Sequence, residues 1–391
     1  MADRSTCASA PDTGQLVLLG GIAALGSLAI QIIVPALPLL TTGIGASPRD
    51  GQLVISSYLA ALAACQLIAA PLADRFGRRP LLIGGLVAFL GGCVACALAE
   101  NLAVMLIGRC LQASGAAAAL VAARTMATDG AGQSAAAARL AILTSVTLIS
   151  PAVAPAVGGA VVGIASWPAL FWLLAGVTLL SLIAALRLIG ETRTGDPEAL
   201  RPGPILRSYG EVARHPRYLR IALANGMING GFYLFLAVSP FTLTAAGAGP
   251  MLSGLFYSLV ACAIILGSLA VPVIARRHPA ALLPVGSAAL GFGAAAVVAV
   301  AATGSGPWGL LIAMSLISFG AGLTGPTLQA EAIAGRGQRT STATSLLGTI
   351  QMASAAAIST AVVRLSPTPT VSLALIGALI AGALILRRRP A

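Results

Sequence analysis

Pro71-Leu-Ala-Asp-Arg-Phe-Gly-Arg-Arg-Pro80 is the stretch on which the fold of this chain turns. It sets an acid, three arginines, a glycine and two prolines between two apolar runs, near 51–73 and 81–99. Each run has the roughly 20 residues that carry a helix across a bilayer. The pattern therefore predicts two membrane helices joined by a short charged turn.

The rest of the chain repeats the theme. Of its 391 residues, 58% are hydrophobic and 9% charged, where a soluble domain carries about a quarter charged. Long apolar runs, without the alternation a barrel needs, point to an all-α integral membrane protein. About twelve helices are expected near 15–41, 51–73, 81–99, 102–127, 140–163, 169–189, 218–245, 251–275, 280–302, 307–333, 341–365 and 370–386. Their many Gly and Ala residues suit close helix packing in lipid.

The net charge is +12, and every basic residue is Arg. The arginines sit in short inter-helical segments, which speaks for topology rather than nucleic-acid binding. With the N-terminus placed in the cytoplasm, all but Arg49, Arg109 and Arg364 fall on cytoplasmic segments. That is the positive-inside bias, and it predicts that both termini are cytoplasmic. The first apolar run is too long for a cleaved signal peptide. Cys93 and Cys96 form a C-x-x-C within an apolar span and without a second pair, so packing is expected rather than metal or redox chemistry. His215 and His278 lie in basic loops, away from any buried proton relay.

Two halves are also expected. Pro71, Arg75, Leu81 and Leu82 recur 201 positions later as Pro272, Arg276, Leu282 and Leu283, and Ala160-Val-Val162 recurs at that offset as Ala361-Val-Val363. A repeat near half the chain length is a transporter architecture with its site between the halves. The predicted organisation is a cytoplasmic tail (1–14), a six-helix bundle (15–189), a cytoplasmic linker (190–217) too irregular to be a domain, a second six-helix bundle (218–386) and a basic tail (387–391).

Residues 70–82 resemble motif A of the major facilitator superfamily, G-x-L-a-D-R-x-G-R-R-x-x-L, with Ala70 in place of the opening Gly. Arg109, Gln112 and Gly115 resemble motif B, and Pro151, Pro155, Gly158 and Gly159 the antiporter motif C. Together with Pro35, Pro38 and Ser239-Pro240-Phe241, the chain is similar to drug:proton antiporters of the Bcr/CflA group. The resemblance implies the twelve-helix, two-bundle major facilitator fold. It also implies a monomer in a bacterial inner membrane that exports small amphipathic molecules against protons. No cofactor, metal or nucleic acid is expected. The family's acid four residues before the first Pro of helix one is Gln31 here, and no other acid lies near the middle of a span.

The resemblance makes Asp74, Arg75, Gly77, Arg78 and Arg79 a conformational gate. Physically, Asp74 can accept from the positive N-terminus of the helix starting near Thr340, and Arg78 can pair with Asp129. Arg109, the charge placed well inside a span, marks a functional site. It is expected either to bind substrate or to tie helices one and four together through Gln31 and backbone carbonyls. Pro151, Pro155, Gly158 and Gly159 bend and thin helix five for packing against the other half. Asn225, Asn229 and Tyr233 share one helix face and, with Gln112, Tyr58, Tyr257 and Gln351, are candidates to line the cavity. Tyr233 is favoured over Phe235. The competing readings are an uncoupled facilitator or anion exchanger, a membrane sensor, for which no sizeable soluble domain exists, and an embedded enzyme, for which no nucleophile–base pair or phosphate loop is seen.

Overall fold

The computed structural model describes residues 11–193, 195, 202–304, 306–333, 340–365 and 368–388. Most of the 1–14 tail, the 387–391 tail beyond Arg388 and part of the 190–217 linker lie outside them. The described residues form helices α1 (Thr13–Gln31), α2 (Leu37–Gly43), α3 (Pro48–Gly51), α4 (Leu53–Phe76), α5 (Arg78–Ala97), α6 (Leu102–Thr128), α7 (Gln133–Ile164) and α8 (Pro168–Leu188). They continue with α9 (Pro202–Ala213), α10 (Pro216–Ala245), α11 (Pro250–Arg277), α12 (Leu282–Thr303), α13 (Gly306–Ile333), α14 (Thr340–Leu365) and α15 (Pro369–Arg388). Among the described residues, 11 helical segments are long and apolar enough to cross a membrane, and α15 contributes a shorter apolar stretch, Val371–Arg387.

Local chemistry sets the helix ends. Asp12 and Gln15 form a capping box on α1, and Asn101 caps α6 by accepting from Val104 N–H at 3.0 Å. Pro168, Pro216 and Pro250 open α8, α10 and α11, where a missing N–H costs nothing.

Three boundaries depart from the sequence expectation. The first span is not one helix over 15–41: it breaks after Gln31 and resumes at Leu37, because Pro35 and Pro38 remove donors from the ladder. Helix α7 begins at Gln133 rather than near 140, carried by Ala135 to Ala138. The linker is not irregular throughout: α9 occupies most of its second half. Pro202 and Pro204 read as breakers, yet both stand in the first turn, where proline is tolerated.

The two halves pack alike. In the first, α5 lies on α6 and α8, α4 on α6, and α1 on α7; in the second, α12 lies on α13 and α15, α11 on α13, and α10 on α14. The α5–α6 crossing is close at Gly85 and Gly92, the α12–α13 crossing at Gly286 and Gly293, again 201 positions apart. A Cβ at Gly92 would meet the backbone of Gln112, the close approach that small residues permit in membranes. Between the halves, α4 packs on α14 and α7 on α11.

Candidate functional site

At the end of the bundle that carries residues 71–80, Gly77 joins α4 to α5 with φ +93°, a left-handed backbone that suits glycine. A Cβ there would meet the Glu191 carboxylate. Glu191 caps α5: its oxygens accept from the backbone N–H of Arg78 at 3.0 Å and of Arg79 at 3.1 Å. Arg79 does the reverse for α8, donating from Nε to the Ile189 carbonyl at 2.8 Å and from Nη2 to that of Leu186 at 2.9 Å. Each charge faces a helix end of opposite sign, which binds α5 to α8 within the first half.

Arg78 is the buried member of this loop. Its Nη2 lies 2.8 Å from Asp74 Oδ1, and its Nε forms a looser ion pair with Asp129 Oδ2 at 3.4 Å. The Thr192 hydroxyl donates to the same Asp129 oxygen at 2.7 Å. Asp74, Arg78 and Asp129 therefore meet. Arg75 lies over the Phe76 ring at 5.4 Å, and Arg79 turns away to α8. The expected bond from the start of the helix near Thr340 to Asp74 falls on 334–339 and the side chains at 340 and 341, outside the described residues.

The same end joins the halves by another route. Ser345 on α14 donates to the Gln66 carbonyl of α4 at 3.1 Å, and Thr349 to that of Ala63 at 3.4 Å. Tyr209 on α9 donates to the Leu67 carbonyl at 3.0 Å, while Ser208 lies 3.2 Å from Thr342. Pro71 has no N–H, so the Leu67 carbonyl lacks its usual i+4 donor; Tyr209 supplies one. At the opposite end, a Cβ on Gly254 of α11 would meet the Pro155 carbonyl and the Gly159 Cα of α7. The Ser258 hydroxyl there accepts from the Ala156 N–H at 3.1 Å. Gly158 packs on the Ile32 carbonyl of its own half. Pro151 lies deeper within α7.

Arg109 is 0% exposed in the first half. Its Nη1 donates to Gln112 Oε1 at 2.5 Å and to the Ala29 carbonyl at 3.2 Å, and its Nε to the Val54 carbonyl at 3.2 Å. The guanidinium stacks over Tyr58 at 4.1 Å, and Tyr58 donates to the Gly26 carbonyl at 3.1 Å. Gln112 passes the network on to Cys93 at 3.0 Å. The tie between helices one and four runs from Arg109 to the Ala29 carbonyl rather than through Gln31, because Gln31 is the last residue of α1, just before the break; Gln112 lies on the same helix as Arg109.

In the second half, Asn229 donates to the Asn225 carbonyl at 2.9 Å and to its Oδ1 at 3.2 Å, along one helix, while the buried Asn225 Nδ2 has no partner among the described residues. Phe235 is fully buried and packs on Tyr257 and Phe256 at 5.7 and 6.2 Å. The Tyr257 hydroxyl lies 2.8 Å from Ser239 Oγ. Tyr233 is half-buried, its ring edge-on to Phe232. Gln351 is buried on α14. Among the described residues, no three His, Cys, Asp or Glu side chains gather as a metal site would require. Glu191, Thr192, Tyr209 and Ser258 were not singled out by the sequence: each partner lies about 60 or more residues away.

Comparison with known proteins accords with this geometry. The profile of the Major Facilitator Superfamily matches residues 19–360. The uncharacterized MFS-type transporter YdgK of Bacillus subtilis (strain 168) is 30% identical over 255 residues, 64% of this chain and 63% of that one. The multidrug resistance protein MdtL of Escherichia coli O6:K15:H31 (strain 536 / UPEC) is 35% identical over 170 residues, 44% of each chain. The chain thus spans less than two thirds of the length of these curated relatives. A crystal structure of a peptide transporter POT in complex with sulfate superposes with a TM-score of 0.75, over 96% of this chain and 92% of that one, at 16% identity. A bacterial homologue of the human lysosomal transporter Spinster gives 0.72 at 17%, over 95% and 93%. At such identity the likeness is one of fold.

Proposed function

We propose that this chain, which belongs to the Major Facilitator Superfamily, exports small amphipathic compounds across a bacterial inner membrane by alternating access. One observation carries the reading: each half lends a helix to both closures, α4 with α14 at the arginine-rich end and α7 with α11 at the other. A site between the halves can then be reached from either side by rocking about these two crossings. The name of MdtL, a multidrug resistance protein, supports the substrate class.

In this reading the protein works as a monomer with its arginine-rich end in the cytoplasm, and the halves correspond to residues 15–189 and 218–386 joined by the 190–217 linker. Asp74, Arg75, Gly77, Arg78, Arg79 and Asp129 serve the gate at the cytoplasmic end. Pro151, Pro155, Gly158 and Gly159 seal the other. Gln31, Arg109, Gln112, Asn229 and Tyr233 serve substrate binding or coupling, Arg109 chiefly by holding α1, α4 and α6 in register. Proton exchange is the coupling that the Bcr/CflA resemblance implies.

A second reading, an uncoupled facilitator or anion exchanger, is favoured by one feature: among the described residues every acid lies at a helix end or in a connection, leaving Arg109 as the charge deep in a span. The deciding experiment is uptake of fluorescent drugs and anionic metabolites into inverted membrane vesicles, with and without an imposed pH gradient. Uptake that collapses with the gradient supports antiport, and uptake indifferent to it supports the second reading. No uptake of any compound by well-inserted protein would overturn both.

A further inference from the structure

The outer flank of the second half carries a groove of about 660 Å³ between α12 and α15. Its lining is mostly apolar, including Leu283, Gly291, Phe292 and Leu384, and no acidic residue lines it. Gly291 keeps it open, since a Cβ there would meet only Leu384, at 3.9 Å. Phe292 is 72% exposed, so the groove opens sideways, off a helix that crosses the membrane.

One end of the groove is polar. Arg387 Nη1 donates to the Ser287 hydroxyl at 2.8 Å, and that hydroxyl donates to the Leu283 carbonyl at 2.5 Å. The lateral position of this arginine is thereby fixed against α12. It belongs to the basic end of the bundle, where Arg276 and Arg277 close α11 and stand exposed.

The dimensions select an occupant. At 1.5 Å per residue, Ser287 lies about 7.5 Å and Ala295 about 20 Å beyond the start of α12. The hydrocarbon of one leaflet is about 15 Å thick. The groove thus runs from headgroup level to near the midplane, with its positive charge at headgroup level. Basic pockets between membrane helices at such a level suit anionic headgroups.

We infer that this groove binds one anionic phospholipid, its phosphate at the Arg387 guanidinium that Ser287 positions and one acyl chain laid along Gly291 and Phe292. A soluble anion has no use for the apolar floor, and a zwitterionic lipid gains less from the arginine. The site lies on the flank of one half, so it does not depend on which compound the protein transports or how transport is coupled.

The test is native mass spectrometry of the full chain released from detergent, with phosphatidylglycerol and phosphatidylcholine at equal concentration. The wild type is expected to retain one phosphatidylglycerol in preference to phosphatidylcholine. Arg387→Gln should lower that preference roughly tenfold, the worth of one charge-assisted hydrogen bond. Gly291→Leu fills the groove and keeps the charge, and should remove the retained lipid. It guards against a folding defect in Arg387→Gln, because both variants would have to misfold to mimic the result. Equal retention of the two lipids by the wild type overturns the inference, as does unchanged preference in both variants. Thermal stabilisation by inorganic phosphate alone, matching that by phosphatidylglycerol, would assign the arginine to a soluble anion instead.

Discussion

The hydroxyl of Tyr209 donates to the carbonyl of Leu67 at 3.0 Å, and Leu67 is the residue whose carbonyl Pro71 leaves without a helical donor. The same hydroxyl lies 3.4 Å from Ser345 Oγ on α14. A proline site inside a helix of one half, a linker helix and a helix of the other half thus share one hydrogen-bonded point. Tyr209→Phe removes that donor and should cost about 1 kcal/mol of the closed arrangement, a roughly fivefold shift toward opening at this end. Distances between spin labels on α4 and α14 would read the shift. In a Pro71→Ala background the restored N–H serves Leu67, so the effect of Tyr209→Phe should shrink. An equal effect in both backgrounds would separate Tyr209 from the Leu67 carbonyl.

Glu191 holds the start of α5 through the backbone N–H groups of Arg78 and Arg79. Glu191→Ala should destabilise the first half by about 1 kcal/mol, the usual worth of a helix cap, seen as a lower melting temperature in detergent. Gly77→Ala should cost more, since it adds left-handed strain and crowds the same carboxylate. A melting temperature unchanged in both variants would mean that the cap carries no stability.

How much of this was legible in the sequence depends on the range of each interaction. Spans are fixed by about 20 consecutive residues, so the helices fall near their expected places, and the 201-residue offset of Pro71 and Pro272 reappears in Gly85 and Gly286. The Arg78–Asp129 pair was expected from the sequence and Asp74 from the motif it shares with Arg78, which lies four residues on, across the Gly77 turn. Glu191 was not: it looks like one more charge in a linker until folding brings it onto α5. Arg109 stood out by its charge, but its partners include the backbone carbonyls of Ala29 and Val54, and any residue type supplies a carbonyl.

The α7–α11 crossing leaves no room for side chains at Gly159 and Gly254. Gly254→Val should insert normally yet transport poorly, because the two helices can no longer reach contact. Labels on α7 and α11 should report a longer separation at that end. Ser258→Ala, which loses only the bond from Ala156, should be much milder. A fully active Gly254→Val would remove this crossing from the transport cycle.

Arg109→Ala takes a charge out of a fully buried network and leaves Gln112 and two carbonyls without their donor. Losses of this kind run to about 2–4 kcal/mol, so both transport and thermal stability should fall. Arg109→Lys keeps the charge but not the planar fork that serves several acceptors at once, and should recover stability only in part. Loss of transport at unchanged stability in Arg109→Ala would mean that the residue acts on substrate alone. Retained transport would take it out of the site.

Asp74→Asn isolates the charge of the proposed gate from its shape. The amide is close in size to the carboxylate but cannot offset the Arg78 guanidinium, which is then left with the looser Asp129 pair at 3.4 Å. Arg78 is nearly buried, whereas the Asp74 side chain is 46% exposed, so most of the penalty falls on the arginine. The variant should insert and express normally, and transport should decline without vanishing, since the α4–α14 hydroxyl contacts at Ser345 and Thr349 remain. Asp129→Asn should be weaker, its contact being longer, and the double variant should lose more than the two single losses combined, because it strips Arg78 of both carboxylates at once. Strictly additive losses would show that Arg78 does not couple the two acids, and full transport by Asp74→Asn would leave the loop a topological signal only.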